Sequence, residues 1–413
     1  MKNNSIKYKN TNNDFVPQIP ENWELRKIKF ASSLQSGFAF KSSEYSEEGY
    51  PVFRIGDILD EININNCPKY PIAKSKGLVD FRVYNGDILI ALTGATIGKT
   101  ALIKNLENFG LLNQRVAKLE KPTKFLYYSF LSKPIQEQIK LISNGSAQEN
   151  ISNKTIENFY IPFPSADQQV AIANFLDKKC EQINQFIADK KQLINLLKEQ
   201  RQSVIDAHFS KLSQLVKLKY LLTKMGSGVT PKGGANVYKQ SGIYFLRSQN
   251  IHNDGLRLEN VAFITKDVHR NMASSQVKKN DVLINITGAS IGRCFTYQLD
   301  DEANINQHIC IMRPDLDMIN PQFLMYQIQS TRIQNLIDMV EGASREGLTN
   351  VVLKNYPIAM TSLEEQLQII NKIKEETKTI DETIFKTEEE LRLVAEYKEA
   401  LISNVVTGQL HIA

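Results

Sequence analysis

The 413-residue chain repeats itself at a spacing of roughly 195 residues, and this restricts its fold more than any other feature. Asn85–Lys99 reads Asn-Gly-Asp-Ile-Leu-Ile-Ala-Leu-Thr-Gly-Ala-Thr-Ile-Gly-Lys. Lys279–Arg293 reads Lys-Asn-Asp-Val-Leu-Ile-Asn-Ile-Thr-Gly-Ala-Ser-Ile-Gly-Arg. Arg54 recurs as Arg247, Asn113-Gln114-Arg115-Val116 as Asn306-Gln307-His308-Ile309, Gly145-Ser146-Ala147 as Gly342-Ala343-Ser344, and Asp167-Gln168-Gln169 as Glu364-Glu365-Gln366. The period is too long for a solenoid unit. It predicts a duplicated α+β domain, each copy followed by a duplicated long helix.

Within each copy the apolar runs read as short strands: Tyr50–Ile58, Asp87–Thr93, Val116–Leu119 and Ile309–Met312. Helical spacing follows over Phe125–Ile142 and Phe323–Met339. Ser152 and Thr349 occupy matching positions that suit helix N-caps.

After Pro162-Phe163-Pro164, a stretch free of Gly and Pro runs from Asp167 to about Leu212, and its copy runs from Leu363 to about Val406. Leu176, Ile183, Lys190, Leu197 and Val204 are spaced by seven. Ile373, Ile380, Thr387, Val394 and Leu401 match them, and a second stripe pairs Cys180, Ile187, Ile194 and Arg201 with Thr377, Ile384, Leu391 and Lys398. This is a coiled-coil seam written twice, polar interruptions included. Each such helix is about 60 Å long at 1.5 Å per residue. An antiparallel pairing about a local two-fold axis is expected, with Ile183 beside Leu391, Ile194 beside Ile380, Lys190 near Ile384 and Ile187 near Thr387. In that reading the seam is a ruler between the two domains. The boundaries are 1–165 for the first domain, 166–213 for the central helix, 214–361 for the second domain and 362–413 for the distal helix.

Composition narrows the chemistry. The net charge of +5 is compatible with nucleic acid without demanding it. Cys67, Cys180, Cys294 and Cys310 form no Cys-x-x-Cys pair, the five histidines lack ligand spacing, and no metal site is expected. No apolar run reaches the length of a membrane span, and Met1–Asp14 lacks the apolar core of a secretory signal, so the chain reads as cytoplasmic.

Two segments imitate enzyme motifs. Gly94-Ala95-Thr96-Ile97-Gly98-Lys99-Thr100 resembles a phosphate-binding loop but is one residue short, and its copy ends in Arg293-Cys294. It reads either as a loop presenting polar and basic groups to DNA or as a tight turn without a ligand. Asn320-Pro321-Gln322-Phe323 resembles the adenine-gripping element of amino-methyltransferases. Its counterpart is Pro122-Thr123-Lys124-Phe125, and proline at a helix start is the ordinary reading. No catalytic residue is expected.

Arg54, Arg247, Gln114 and Gln307 are types that fork onto guanine or adenine in a major groove, although an Arg at a strand end can equally be a structural ion pair. Arg115 against His308 is a change of side chain on a common scaffold. The candidate DNA contacts are Arg54, Thr93, Thr96, Lys99, Asn113, Gln114, Arg115 and Ser146 in the first copy. In the second they are Arg247, Gln249, Thr287, Ser290, Arg293, Asn306, Gln307, His308, Ser344 and Arg345.

Over essentially its whole length the chain resembles the specificity subunits of type I restriction–modification systems. The carriers are the two Thr-Gly-Ala-Thr/Ser-Ile-Gly-Lys/Arg segments, the two Asn-Gln segments, the helix approaches Ile161-Pro162-Phe163-Pro164…Gln168-Gln169 and Ile358…Glu364-Glu365-Gln366, and Trp23 after Pro20. Ala359, Met360 and Thr361 depart from the pattern, where prolines are usual. The resemblance implies a non-catalytic subunit whose two target-recognition domains each read one half of a split, asymmetric site in double-stranded DNA. It implies partners: two modification (methyltransferase) subunits and restriction (motor and nuclease) subunits. S-adenosylmethionine, ATP and Mg would then sit on those partners and not on this chain. Two rival readings stay open, a self-contained DNA methyltransferase or NTPase and a coiled-coil scaffold that reads no sequence. Cofactor binding by the chain alone would mark the first, and DNA binding indifferent to sequence the second.

Overall fold

The computed structural model describes residues 7–59, 62–144, 150–343 and 347–412. Its contacts group into two units, Met1–Lys190 with Glu389–Ala413 and Lys191–Glu388. Each globular region is thus grouped with the adjoining stretches of both long helices.

The first unit begins with a hairpin, β1 (Tyr8–Asn10) and β2 (Gln18–Pro20), followed by β3 (Glu24–Lys27), β4 (Leu34–Ser36), β5 (Tyr50–Phe53), β6 (Lys69–Tyr70), β7 (Arg82–Val83), β8 (Ile88–Ala91), β9 (Thr100–Leu102), β10 (Gly110–Leu112) and β11 (Val116–Leu119). Helices α1 (Lys124–Leu131), α2 (Lys133–Asn144) and α3 (Asn153–Glu157), strand β12 (Tyr160–Phe163) and the long helix α4 (Ala166–Phe209) complete this stretch. The strands form sheets of order β6-β5-β10-β7 and β4-β11-β8-β9, plus the pair β12-β3.

The second unit repeats this plan. Its elements are β13 (Leu215–Lys217), β14 (Leu222–Ser227), β15 (Ile243–Leu246), the hairpin β16 (Ile251–His252) and β17 (Gly255–Leu256), β18 (Ala262–Ile264), α5 (Lys266–Asn271), β19 (Gln276–Val277), β20 (Val282–Asn285), β21 (Cys294–Thr296), β22 (Ala303–Ile305) and β23 (Ile309–Pro314). Then come α6 (Pro321–Gln329), α7 (Thr331–Ala343), α8 (Asn350–Leu353), β24 (Pro357–Ala359) and α9 (Leu363–Val406). The orders β18-β15-β22-β19, β14-β23-β20-β21 and β13-β24 match the first unit strand for strand. Even the one parallel pairing recurs, Leu112↔Phe53 in one copy and Leu246↔Ile305 in the other.

The continuous apolar runs are explained by burial on both faces. Ile88 and Ile90 of β8 join Leu126, Phe130, Ile135 and Ile139 of α1 and α2 in one core, whereas Leu89 and Ala91 join Phe53, Leu112 and Val116 in another. Val282 and Ile284 against Leu283 repeat the division in β20. A strand between two cores cannot alternate polar and apolar residues.

Two expected element boundaries need correction. The run Tyr50–Ile58 is strand only to Phe53, because the Asp57 carboxylate accepts the Arg54 backbone N–H at 2.9 Å and turns the chain into a 3-10 helix over Ile55–Asp57. The single helices expected over Phe125–Ile142 and Phe323–Met339 are each two helices, broken at Ser132 and Ser330, whose ψ values are 149° and 146°. At each break the first amide of the next helix is capped from a long helix. Lys133 N–H donates to Ser403 Oγ and Thr331 N–H to Asp206 Oδ1, both at 2.9 Å. Ser152 and Thr349 are N-caps as expected, accepting from Thr155 N–H and Val352 N–H.

In each unit α4 and α9 pair antiparallel. The stripe is visible as burial. Leu176, Cys180, Ile194, Ile373, Thr377, Ile380, Ile384, Thr387 and Leu401 are buried, while Ile183, Ile187, Leu197, Leu391 and Val394 are half-buried. At the end of α4 the inward position passes from the half-buried Val204 to the fully buried Ile205. A straight helix of 3.6 residues per turn drifts in this way against a seven-residue repeat.

The expected register is shifted by one heptad. Arg201 Nε binds Asp381 at 2.7 Å, and its symmetry equivalent Lys398 Nζ binds Asn184 at 2.9 Å. Lys190 binds Glu390 at 2.8 Å. These contacts set Ile183 opposite Lys398 instead of Leu391, and Ile194 opposite Thr387 instead of Ile380. Lys190 then faces Leu391, and Ile187 faces Val394. The seven-residue pattern cannot distinguish the two registers, since a slip of seven residues keeps the same two stripes facing each other. The flanking charges decide. Cysteine pairs at 183/398 and 194/387, in a background without the four native cysteines, are expected to crosslink under mild oxidation. Crosslinking at 183/391 and 194/380 instead would restore the slipped register.

Candidate nucleic-acid interface

In each unit the candidate loops converge at one end of the two sheets. In the first, Asn113 N–H donates to Phe53 O at 3.2 Å, Leu92 N–H to Arg115 O at 3.0 Å and Ile151 N–H to Leu92 O at 3.0 Å. The ends of β5, β8 and β10 and the chain entering α3 therefore meet. In the second, Asn306 N–H donates to Leu246 O, Ile286 N–H to His308 O and Leu348 N–H to Ile286 O. The candidates Ser146, Ser344 and Arg345 lie outside the described residues.

The Thr-Gly-Ala segments are hairpin turns from β8 into β9 and from β20 into β21. A phosphate-binding loop would instead open a helix. The amides at the end of each segment are committed within the hairpin: Gly98 N–H donates to Ala91 O, and Gly292 N–H to Asn285 O, both at 2.9 Å. Gly98 and Gly292 hold φ of 80° and 82°. Gln136 and Gln334 donate to their carbonyls at 3.1 and 3.2 Å. Lys99 and Arg293 are exposed where the turn rejoins the sheet. Asn320 caps α6 by accepting from Gln322 N–H, with Pro321 at the first helical position, as any proline-led helix start does.

The two faces share a backbone plan and differ in polar display. Asn113 and Asn306 do the same work, their side-chain oxygens accepting from Arg115 N–H and His308 N–H and shaping the turn. Gln114, Arg115, Gln307 and Gln249 are exposed. In the second unit the display is wired together. Thr287 Oγ1 bonds His308 Nδ1 at 2.6 Å, His308 Nε2 meets Gln307 at 3.1 Å, and Gln307 accepts from Thr230. Buried Asn285 donates to Ser248 O at 2.8 Å and Ser290 Oγ at 3.0 Å. The first unit has Ala91 where Asn285 stands and Arg115 where His308 stands. The hydroxyls of Thr93 and Thr96, equivalents of Thr287 and Ser290, are accordingly left without a partner among the described residues.

The arginines differ too. Arg54 forks onto Asp57 at 3.0 and 3.3 Å, which raises its pKa and spends its charge locally. Arg247 has Asn250 in place of that acid. Its Nη2 donates to Asn260 O at 3.0 Å, and the guanidinium lies 5.9 Å from the Tyr238 ring centre. The structural ion pair thus describes Arg54, while Arg247 has no ion pair among the described residues.

One part of the face was missed in the sequence. Gly37 and Gly228 pass so close to the Asn turns that a Cβ would lie 2.0 Å from Leu112 O and 2.3 Å from Asn306 O. They bring Phe38 and Val229, 36% and 45% exposed, to the rim of the face. Asn153 and Asn350 hold Ser36 Oγ and Ser227 Oγ at 2.9 and 3.1 Å. The signal was a recurring Ser-Gly dipeptide.

The four cysteines are free and buried, and burial pushes the Cys67 and Cys310 thiols up to about 12. They are therefore inert as nucleophiles. No group of metal-ligating side chains occurs among the described residues, and no helix there is long and apolar enough to cross a membrane.

A family described as "Type I restriction modification DNA specificity domain" matches residues 20–196 and again 210–392, one match for each copy of the loop set. The chain belongs to this family. The EcoBI type I restriction enzyme specificity subunit of Escherichia coli is 25% identical over 427 residues, covering 95% of this chain and 87% of the relative. The MjaVIII specificity subunit of Methanocaldococcus jannaschii is 31% identical over 202 residues, 44% of this chain and 47% of its own length. A chain solved in work on complex assembly and conformational transition of the type I R-M system superposes with a TM-score of 0.64 at 16% identity, covering 95% of this chain and 99% of that one. The duplicated α+β fold is therefore that of a specificity subunit, with two specificity domains and their long helices.

Proposed function

We propose that the chain reads DNA for a type I restriction–modification complex, each unit contacting one half of a split, asymmetric site. Residues 1–165 and 214–361 serve as the target-recognition domains, and 166–213 and 362–413 as the helices on which two modification subunits and the restriction subunits assemble. The chemistry belongs to those partners, which would carry S-adenosylmethionine, ATP and Mg in the cytoplasm. The observation that carries this reading is the pair of loop faces with one backbone plan and two polar displays. A scaffold has no use for Arg115 in one copy and a wired His308 in the other. A phosphate-binding loop would open a helix, whereas both segments turn one strand into the next.

The test is Lys99→Ala in the assembled complex. It should leave ATP hydrolysis unchanged and make the salt dependence of DNA binding shallower by about one unit, as loss of one phosphate contact does. Loss of nucleotide binding would instead favour the enzyme reading.

A further inference from the structure

A second basic surface lies outside the loop face, and it too is written twice. Directly after β3, Lys29 and Phe30 stand on the surface. Phe30 is 70% exposed, with the Lys29 ammonium 5.4 Å from its ring centre. Directly after β13, Lys219 and Tyr220 repeat the arrangement at 61% exposure and 4.7 Å. Packing does not explain these rings, because the neighbouring Ile28 and Leu218 fill the core.

Further lysines lie on the segments that adjoin each ring. Lys27 lies 5.3 Å from the Tyr160 ring centre, and Lys154 is exposed on α3. Lys217 is exposed on β13, and the Lys219 N–H donates to Lys354 O at 2.9 Å. Among the described residues none of these six lysines forms an ion pair. Nearby carboxylates are engaged elsewhere: Glu157 accepts from Leu34 N–H, Glu24 binds Arg26 and Asp315 accepts from Asp317 N–H. Unpaired like charges around an exposed ring suit a polyanion.

The same strand links each patch to the loop face. From Phe30 the chain runs through β4 to Phe38, and from Tyr220 through β14 to Val229. At about 3.3 Å per residue that is at most about 30 Å, or roughly nine base pairs along a duplex.

We propose that these Lys–aromatic patches grip the DNA backbone flanking the bases that the loops read, the ammoniums on phosphates and the rings against sugars. The inference rests on the DNA-reading function. It adds contacts that lengthen the footprint and raise affinity without choosing sequence.

The test uses the full chain and a 40-bp duplex carrying the site found by methylome sequencing. Binding is followed by anisotropy across a salt series for wild type, K27Q/K29Q/F30A and K217Q/K219Q/Y220A. Each triple variant should lower the salt exponent by about two, at roughly 0.9 per phosphate contact. The methylated sequence should not change, and a duplex trimmed to the read bases should bring variants and wild type together. Unchanged exponents on the long duplex would overturn the proposal. Unchanged exponents with lost co-purification of a methyltransferase subunit would reassign the patch to a protein contact. A wild-type chain indifferent to DNA sequence would instead sink the reading beneath it.

Discussion

Replacing residues 214–360 with the equivalent segment of a relative is expected to change one half of the methylated site completely and leave the other half as it was. Every loop of the second face lies inside that segment, from Val229 through Arg247, Thr287 and Gln307 to the chain entering α8 at Thr349. Each loop is bonded to others of the same set, as Thr287 is to His308 and Asn285 to Ser248. A mismatched base pair typically costs about 1–3 kcal/mol, so exchanging several specified positions shifts preference by about a thousandfold or more. Methylome sequencing of cells carrying the chimaera reads the outcome. A change in both halves would refute the assignment of one half-site to each unit.

Arg313→Ala is expected to destabilise the second unit by about 3–5 kcal/mol. Arg313 forks onto Asp281 at 2.7 and 2.8 Å, and the Asp281 side chain is fully buried beneath it. Removing the guanidinium strands a carboxylate away from water, which costs far more than the pair itself contributes. The double variant Arg313→Met with Asp281→Asn should recover much of the loss, since no charge is then left unpaired. The first unit provides a control. Its equivalent Asp87 is only partly buried, with Lys118 at 3.9 Å, and burial outweighs that cation to raise the Asp87 pKa. Lys118→Met should therefore cost less. Hydrogen exchange on the full chain separates the units. Equal protection loss in both variants would count against the buried-charge account.

Much of this architecture was legible because the chain states it twice. The matched pairs Thr93/Thr287 and Asn113/Asn306 located the loop face without any knowledge of its folding. Features that depend on a distant neighbour were not legible. The breaks at Ser132 and Ser330 hide inside an apolar helical period that continues through Ile135 and Ile139, because the capping groups Ser403 and Asp206 come from elsewhere in sequence. Gly37 carries no such signal, because its close approach to Leu112 O exists only after the sheets form. The heptad stripe showed that α4 and α9 pair but not in which register. That choice rests on Arg201–Asp381 and Lys398–Asn184, whose charges sit beside the apolar repeat and outside it.

The make-up of the first unit has a consequence for the order in which the protein can be made. Leu176, Cys180 and Ile183 are covered by Leu401, Ile402 and Val405, and Tyr8 in the first hairpin donates to Gly408 O at 2.9 Å. The residues that complete this unit are therefore translated only after residues 191–388. Residues 191–388, which group as the other unit, take about 10–40 s to be translated at 5–20 residues per second. Throughout that time the nascent chain carries an uncovered apolar stripe on the first part of α4. The unit whose synthesis starts first is thus completed second, and a premature stop just after residue 388 would leave the later-made unit whole while crippling the earlier one.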